Sequence, residues 1–234
     1  MRALLVCLTS LVLIGLGAPA DAGPSHHLPT VGSCHGYTYQ ALQKQSDMSP
    51  VVPCSGPHNA VTLAVLKVTT SELRQELGAR RLARCDRALA ATLGSDPVRT
   101  AYSLGYFYPT RAEIAKGARW ARCDLVLYAG AALAPLSDPI ITDVTDDRIA
   151  RCVLRRKGSF LATPCALPHS YRVTGGYQAK GGKRYPGNDR LFGQAVRLCA
   201  SQVLNPSDYY VNFPVESEWY AGYRGVVCLS RQST

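Results

Sequence analysis

Apolar residues in this chain fall into short blocks whose period switches between two and about 3.6, and the order of switching is the same in both halves. In the first half Tyr37-Thr38-Tyr39 has strand composition, and Gln40 to Pro50 is polar and loop-like. Val51-Val52-Pro53-Cys54 predicts a second short strand, at a sheet edge because Pro53 has no N–H for a ladder. Ala60 to Val68 is nearly continuous in apolar residues, the pattern of a central strand with both faces covered. Thr69 then opens a helix, with Glu72 completing a capping box. Leu73, Leu77, Leu82, Cys85 and Leu89 recur at roughly helical spacing, Gly78 marks a kink or break, and Gly94-Ser95-Asp96-Pro97 ends the run. A loop through Tyr102 and Tyr106 leads to Tyr108-Pro109. Thr110 to Lys116 predicts one or two helical turns carrying Glu113, and Trp120 to Tyr128 is the closing strand.

The second half repeats this course. Strands are expected at Arg151–Leu154, Phe160–Pro164, Tyr171–Thr174 and Gly225–Leu229. Gly175 to Asn188 is a glycine- and lysine-rich loop. Leu191, Phe192, Ala195, Val196, Cys199, Val203 and Leu204 form one apolar helical stripe, which Asn205-Pro206 ends. The expected fold is therefore α+β: a tandem pseudo-repeat, each half a small antiparallel sheet with one packed helix in the order β-β-β-α-β.

Local motifs carry the same duplication. Pro53-Cys54-Ser55-Gly56-Pro57-His58 is matched by Pro164-Cys165-Ala166-Leu167-Pro168-His169. Tyr108-Pro109, Glu113, Gly117, Arg119 and Cys123 are matched by Phe213-Pro214, Glu218, Gly222, Arg224 and Cys228. From proline to final cysteine the spacing is 14 residues in both copies. Repetition favours a structural role for these residues, because a duplicated fold keeps its fold residues twice while an active site is needed once. Gly117 and Gly222 suit turns with φ > 0. Glu113 and Arg119 are placed to form a salt bridge across the turn. Pro57 and Pro168, with His58 and His169, fit a tight turn beside a disulfide.

The first 30 residues stand apart. Met1-Arg2, the apolar run Ala3 to Leu16 and two overlapping A-x-A sites predict a signal peptide over 1–22, cut after Ala20 or Ala22, with an uncleaved anchor as the alternative. Residues 23–30 read as a flexible leader, 31–135 as the first repeat, 136–147 as a linker and 148–234 as the second repeat. The linker holds Asp138, Asp143, Asp146 and Asp147 but lacks the glycine and closing glutamate of a calcium loop.

Export changes the meaning of the cysteines. Removal of Cys7 with the signal leaves eight, four in each half, and an oxidising compartment favours disulfides over metal ligation. Within a half three pairings exist. The helical cysteine faces the last strand, and the first two cysteines lie on sequential strands. The expected bonds are Cys34–Cys54, Cys85–Cys123, Cys152–Cys165 and Cys199–Cys228. The loops Cys34–Cys54 and Cys152–Cys165 span 20 and 13 positions, and each closure stabilises by ~3 kcal/mol in the chain-entropy model.

The chain of 234 residues has a formal charge of +10, unevenly distributed. Residues 23–147 hold 12 Lys and Arg against 11 Asp and Glu, whereas residues 148–234 hold 13 against 4. An exported basic surface meets anionic wall polymer, lipid headgroups or acidic proteins. The candidate binding residues are Arg155, Arg156, Lys157, Lys180, Lys183 and Arg184, with Tyr209, Tyr210, Tyr220 and Tyr223 as a stacking face. Phe213 and Trp219 read as core.

Enzyme motifs are missing: there is no H-E-x-x-H, no G-x-S-x-G and no S-x-x-K with its partner signatures. The loop Gly175 to Asn188 resembles a phosphate loop only superficially, since Tyr177 and Arg184 stand where the motif needs glycine and serine or threonine. His58 and His169 are the weak catalytic candidates. No metal, cofactor or nucleic acid is expected, and no later segment is long and apolar enough for a membrane span.

The combination of Gly32-Ser33-Cys34, Cys54 to His58, a helical cysteine and Trp219 to Cys228 resembles the septum-formation family of actinobacterial envelope proteins. The resemblance runs from about Val31 to Leu229. It implies an exported or membrane-tethered protein of a high-GC Gram-positive bacterium and brings no catalytic residues with it. Relatives often place an acid three positions after the histidine, where this chain has Val61 and Arg172, and the first repeat has Ile114 where the second has Trp219. The expected function is a non-enzymatic envelope or secreted protein that binds an anionic wall component or an acidic partner. The alternative is a secreted hydrolase of wall polymer with His58 or His169 as general base.

Overall fold

The computed structural model describes residues 29–47, 49–74, 79–94, 97–156, 158–220 and 222–232. The expected signal and most of the leader lie outside the described residues, as do Leu77, Gly78, Lys157 and the side chain of Leu82.

Each half of the chain, read from its sequence as a repeat, forms its own antiparallel sheet. The first contains β1 (Cys34–His35), β2 (Val51–Val52), β3 (Ala60–Lys67), β4 (Tyr102–Phe107), β5 (Trp120–Ala129) and β6 (Ala132–Ala134). Its order is β2-β1-β3-β5-β4, and β6 folds back on β5. The second contains β7 (Arg151–Arg156), β8 (Ser159–Pro164), β9 (Tyr171–Gln178), β10 (Tyr209–Asn212) and β11 (Gly225–Arg231), in the order β8-β7-β9-β11-β10. Matching the strands by sequence motif makes the two orders identical. β2, followed by Pro53, lies at an edge, and the apolar β3 is central, as the pattern predicts.

Helices cover one face of each sheet. In the first repeat these are α1 (Thr70–Arg74), α2 (Ala79–Leu93) and α3 (Arg111–Ala115); in the second, α4 (Asn188–Cys199) and α5 (Glu216–Tyr220). The Thr69 hydroxyl accepts from Glu72 N at 3.2 Å, and Glu72 returns a bond to Thr69 N at 2.6 Å, so the capping box forms. Cys85, Leu89 and Leu93 pack α2 against Leu66, Leu104 and Leu125. Leu191, Ala195 and Cys199 pack α4 against Val226, Cys228 and Trp219. Disulfides Cys85–Cys123 and Cys199–Cys228 tie helix to sheet, while Cys34–Cys54 and Cys152–Cys165 tie neighbouring strands.

Several expectations about elements change. Tyr37-Thr38-Tyr39, read as the first strand, follows β1 and leads into a short 3-10 helix over Tyr39–Gln43, and α4 ends at Cys199, before Val203 and Leu204. The segment through Tyr102, read as a loop, is β4, and Tyr209–Asn212, for which no element is expected, is β10. The second half therefore runs β-β-β-α-β-α-β, and the first does the same with two helices, α1 and α2, after β3 and with β6 added at the end. Ser103 and Gly105 interrupt the apolar run of β4, and the strand forms because β5 offers it a complete antiparallel partner. Gly175 to Gln178, read as the start of the basic loop, extend β9. A Cβ at Gly176 would lie 2.6 Å from Val226 O and 2.8 Å from Val98 Cγ1, so glycine there marks close packing rather than a loop.

The sheets meet along a seam. Ala101 N donates to Ile149 O at 2.7 Å, Gly130 N donates to Ala162 O at 2.8 Å, and Thr100 and Ala150 form an isolated bridge. Val98 packs on the free face of the second sheet, against the cluster that includes Val173 and Val227. The segment read as a linker is anchored: Leu136 is buried, its N–H donates to His58 O at 3.0 Å, and Ile140 and Ile141 pack on the first core.

Candidate functional site

The duplicated residues repeat their local chemistry. Glu113 accepts from Thr110 N at 2.6 Å, capping α3, and Glu218 accepts from Val215 N at 2.9 Å at the start of α5. Arg119 donates to the carbonyls of Ile114 and Ala118, both at 2.7 Å. Arg224 donates to those of Trp219 and Tyr223. The expected Glu113–Arg119 salt bridge does not form. A helix of five residues leaves most of its end groups unpaired, so the acid satisfies N–H groups at one end and the arginine satisfies carbonyls at the other. Gly117 and Gly222, with φ of 101° and 98°, make the turn between.

The histidines also match. His58 Nδ1 lies 2.9 Å from Gly56 O, and His169 Nδ1 lies 2.8 Å from Leu167 O. His58 is buried and His169 half-buried. Among the described residues neither imidazole has a carboxylate within hydrogen-bond reach, the geometry a hydrolytic base needs. Pro57 and Pro168 precede them on the surface of the same turns.

The basic residues divide by position. Lys180, Arg184 and Arg190 line a cleft of about 390 Å³ with Tyr185, and Lys183 is exposed on the same loop. Among the described residues none of these four cations has an ion-pair partner. Asp189, in the first turn of α4, is the nearest acid in sequence, and α4 begins at Gly187 without a side-chain cap. The loop is seated on Trp219: the indole lies under Gly181, meets Tyr185 edge-on at 5.9 Å and carries the Arg224 guanidinium 3.8 Å from its centroid. Trp219 is fully buried, and Phe213 packs on the same cluster. Arg155 and Arg156 are exposed at the far end of β7. The register Val153↔Tyr171 sets them beyond the start of β9, whereas the cleft follows its end.

The tyrosines do not form one stacking face. Tyr209 donates to Val196 O at 3.2 Å beneath α4, while Tyr210, on the opposite face of β10, packs on Phe160 and Tyr171. Tyr220 is exposed. Tyr223 joins Asp86, Tyr106 and Tyr128 around a cleft of about 400 Å³ between the repeats. Burial raises the Asp86 carboxyl and the Tyr106 hydroxyl above their usual ranges. Arg190 and Asp86 had no distinguishing sequence signal: one begins a helix and the other sits mid-helix among ordinary charged residues.

A buried charge network lies on the other face of the first sheet. Arg122 donates to Asp47 at 2.8 Å and to the Tyr37 hydroxyl at 2.6 Å, and its Nε is 3.0 Å from Asp124. Tyr37 and Thr62 donate to Asp124 at 2.6 and 2.8 Å. Burial alone would raise the Asp47 carboxyl, but hydrogen bonds from Arg122 and Ser49 outweigh it and hold Asp47 below its usual range. Because Thr62 donates to Asp124, it accepts from His35 Nε2 at 3.1 Å, which leaves His35 Nδ1 a buried acceptor without a partner. Burial pushes this imidazole below its ordinary range, so it is neutral. The network is buried against the first sheet and reads as a fold element.

The family model described as "Septum formation" matches residues 31–228. No curated protein and no solved structure matches. Among the described residues no helix is long and apolar enough to cross a membrane.

Proposed function

Because the chain belongs to the septum-formation family, we propose that it acts outside the cytoplasm as a binding protein of the cell envelope, holding anionic wall polymer in the cleft of residues 180–190. Family membership and four disulfides support an extracytoplasmic, envelope-related protein. The observation that carries the binding reading is the cleft itself. Lys180, Lys183, Arg184 and Arg190 crowd one exposed loop and helix start, and no carboxylate pairs with them among the described residues. Exposed like charges at this spacing repel each other and are relieved by an anion of matching spacing.

Co-sedimentation with purified cell wall tests this. The protein should pellet with wall at about 20 mM salt and stay in solution at about 500 mM, where exposed charges are screened beyond a few ångströms. Charge reversal at Lys180, Arg184 and Arg190 together should abolish pelleting at low salt. Reversal at Arg155 and Arg156, at the other end of the sheet, should leave most of it. Failure to pellet at low salt, or equal loss in both variants, removes the reading.

A further inference from the structure

Arg151 opens β7 at the seam and lines two cavities, unlike Arg99 and Arg122, whose Nε atoms are also buried without a hydrogen-bond partner. Arg122 meets two carboxylates, and Arg119 and Arg224 meet helix-end carbonyls. Arg151 Nε is buried without a hydrogen-bond partner, and among the described residues its guanidinium has no ion pair or aromatic ring to rest on. Burial pushes the guanidinium below its ordinary range with no carboxylate to offset the loss of water.

Two cavities meet at this side chain. One, of about 260 Å³, lies between the repeats and is lined by Tyr39, Tyr102 and Tyr128 from the first and Leu161 from the second. The other, of about 150 Å³, lies on the free face of the second sheet over Val153, Val227 and Leu229, with Tyr210 at its rim. Arg151, Phe160 and Ala162 line both, so Arg151 stands on the wall that the two cavities share. Arg151 is the one charged residue among the lining residues of either. The first is lined largely by tyrosines and small residues, the second largely by apolar residues, and Arg151 stands between them without an ion-pair partner among the described residues.

We propose that this seam is a binding site for a small monocarboxylate with an apolar tail, its carboxylate paired with Arg151 and its tail over Val153, Val227 and Leu229. The planar guanidinium matches a carboxylate in a two-bond fork. A single cation balances one negative charge, and a dianionic phosphate monoester would bring an unpaired charge into the same enclosure. The site is separate from the cleft at residues 180–190 and does not rest on the wall-binding reading.

Hexanoate is the probe, with 1-hexanol and hexyl phosphate as matched controls, in an NMR titration of the full protein. Hexanoate should shift the Arg151 Nε–H, Val153 and Leu229 signals in a saturable way. Hexanol should bind at least about ten-fold more weakly, the loss expected when a charged hydrogen bond goes unmade. Hexyl phosphate should also bind more weakly than hexanoate. Arg151→Met should abolish hexanoate binding, since it removes the only cation that lines the site. Equal binding of hexanol, tighter binding of hexyl phosphate, or undiminished binding by Arg151→Met would each overturn the proposal. The comparison of the three probes on the unaltered protein decides it even where the variant fails to fold.

Discussion

Glu113 and Arg119 show how a residue pair is misassigned from its charges. Opposite signs six positions apart across a glycine predict an ion pair, yet each side chain serves the backbone of α3 instead. Glu218 and Arg224 do the same for α5. The distinction has a measurable consequence. A capping box accepts glutamine in place of glutamate, whereas a salt bridge does not. Glu113→Gln should therefore unfold at nearly the same denaturant midpoint as the parent, and Glu113→Ala should lose ~1 kcal/mol, the usual value of a helix cap. Equal losses in both variants would point back to an ion pair. The histidines of the P-C-x-x-P-H copies follow the same logic: both imidazoles bond a carbonyl two residues back within the turn.

Among elements, the disulfides fall into two classes by what they join. Cys85–Cys123 and Cys199–Cys228 are sealed between helix and sheet, with Cys123, Cys199 and Cys228 at 0% exposure. Cys34–Cys54 ends in an exposed turn, and Cys54 is half-buried. Thiol–disulfide exchange needs in-line access to a sulfur. Mild reductant should thus open Cys34–Cys54 first and the two helix–sheet bonds last, as timed alkylation and peptide mapping would report. Prior loss of Cys85–Cys123 would contradict this packing. Strands β4 and β10 were missed for the converse reason. Their tyrosines, Phe107 and Val211 suit strands, but each run is short, and its pairing comes from β5 or β11, which a local pattern does not reveal.

Over the whole molecule, acid acts on the buried network of the first sheet. His35 is lowered chiefly by burial, so its stabilising share is full above the unfolded histidine value of about 6.5 and is lost as pH falls below that toward its lower folded value. Asp47 is also lowered, so its share is present above the unfolded carboxylate range and is lost further down, through its folded value. Asp86, raised by burial, works in the opposite sense. A protein already at +10 gains self-repulsion as carboxylates protonate. The denaturant midpoint should fall between pH 8 and about pH 5.5, and His35→Gln should flatten that part of the curve while leaving the loss at lower pH. An unchanged slope in His35→Gln would remove His35 from the account.

The α+β class with small antiparallel sheets, the disulfide pairing and the central place of β3 were legible along the chain. They follow from period, capping residues and short-range topology, which a sequence carries in one dimension. Also legible were the charge bias of the second half and the basic loop that became the cleft. The tertiary structure alone decided which charges remain unsatisfied. Arg122 and Arg151 both open or occupy strands and look alike in sequence, but Asp47 and Asp124 surround one, and the seam between the sheets leaves the other without a partner. Pairing of a buried charge depends on neighbours that sit far away in sequence, and the packing of the two sheets sets those neighbours.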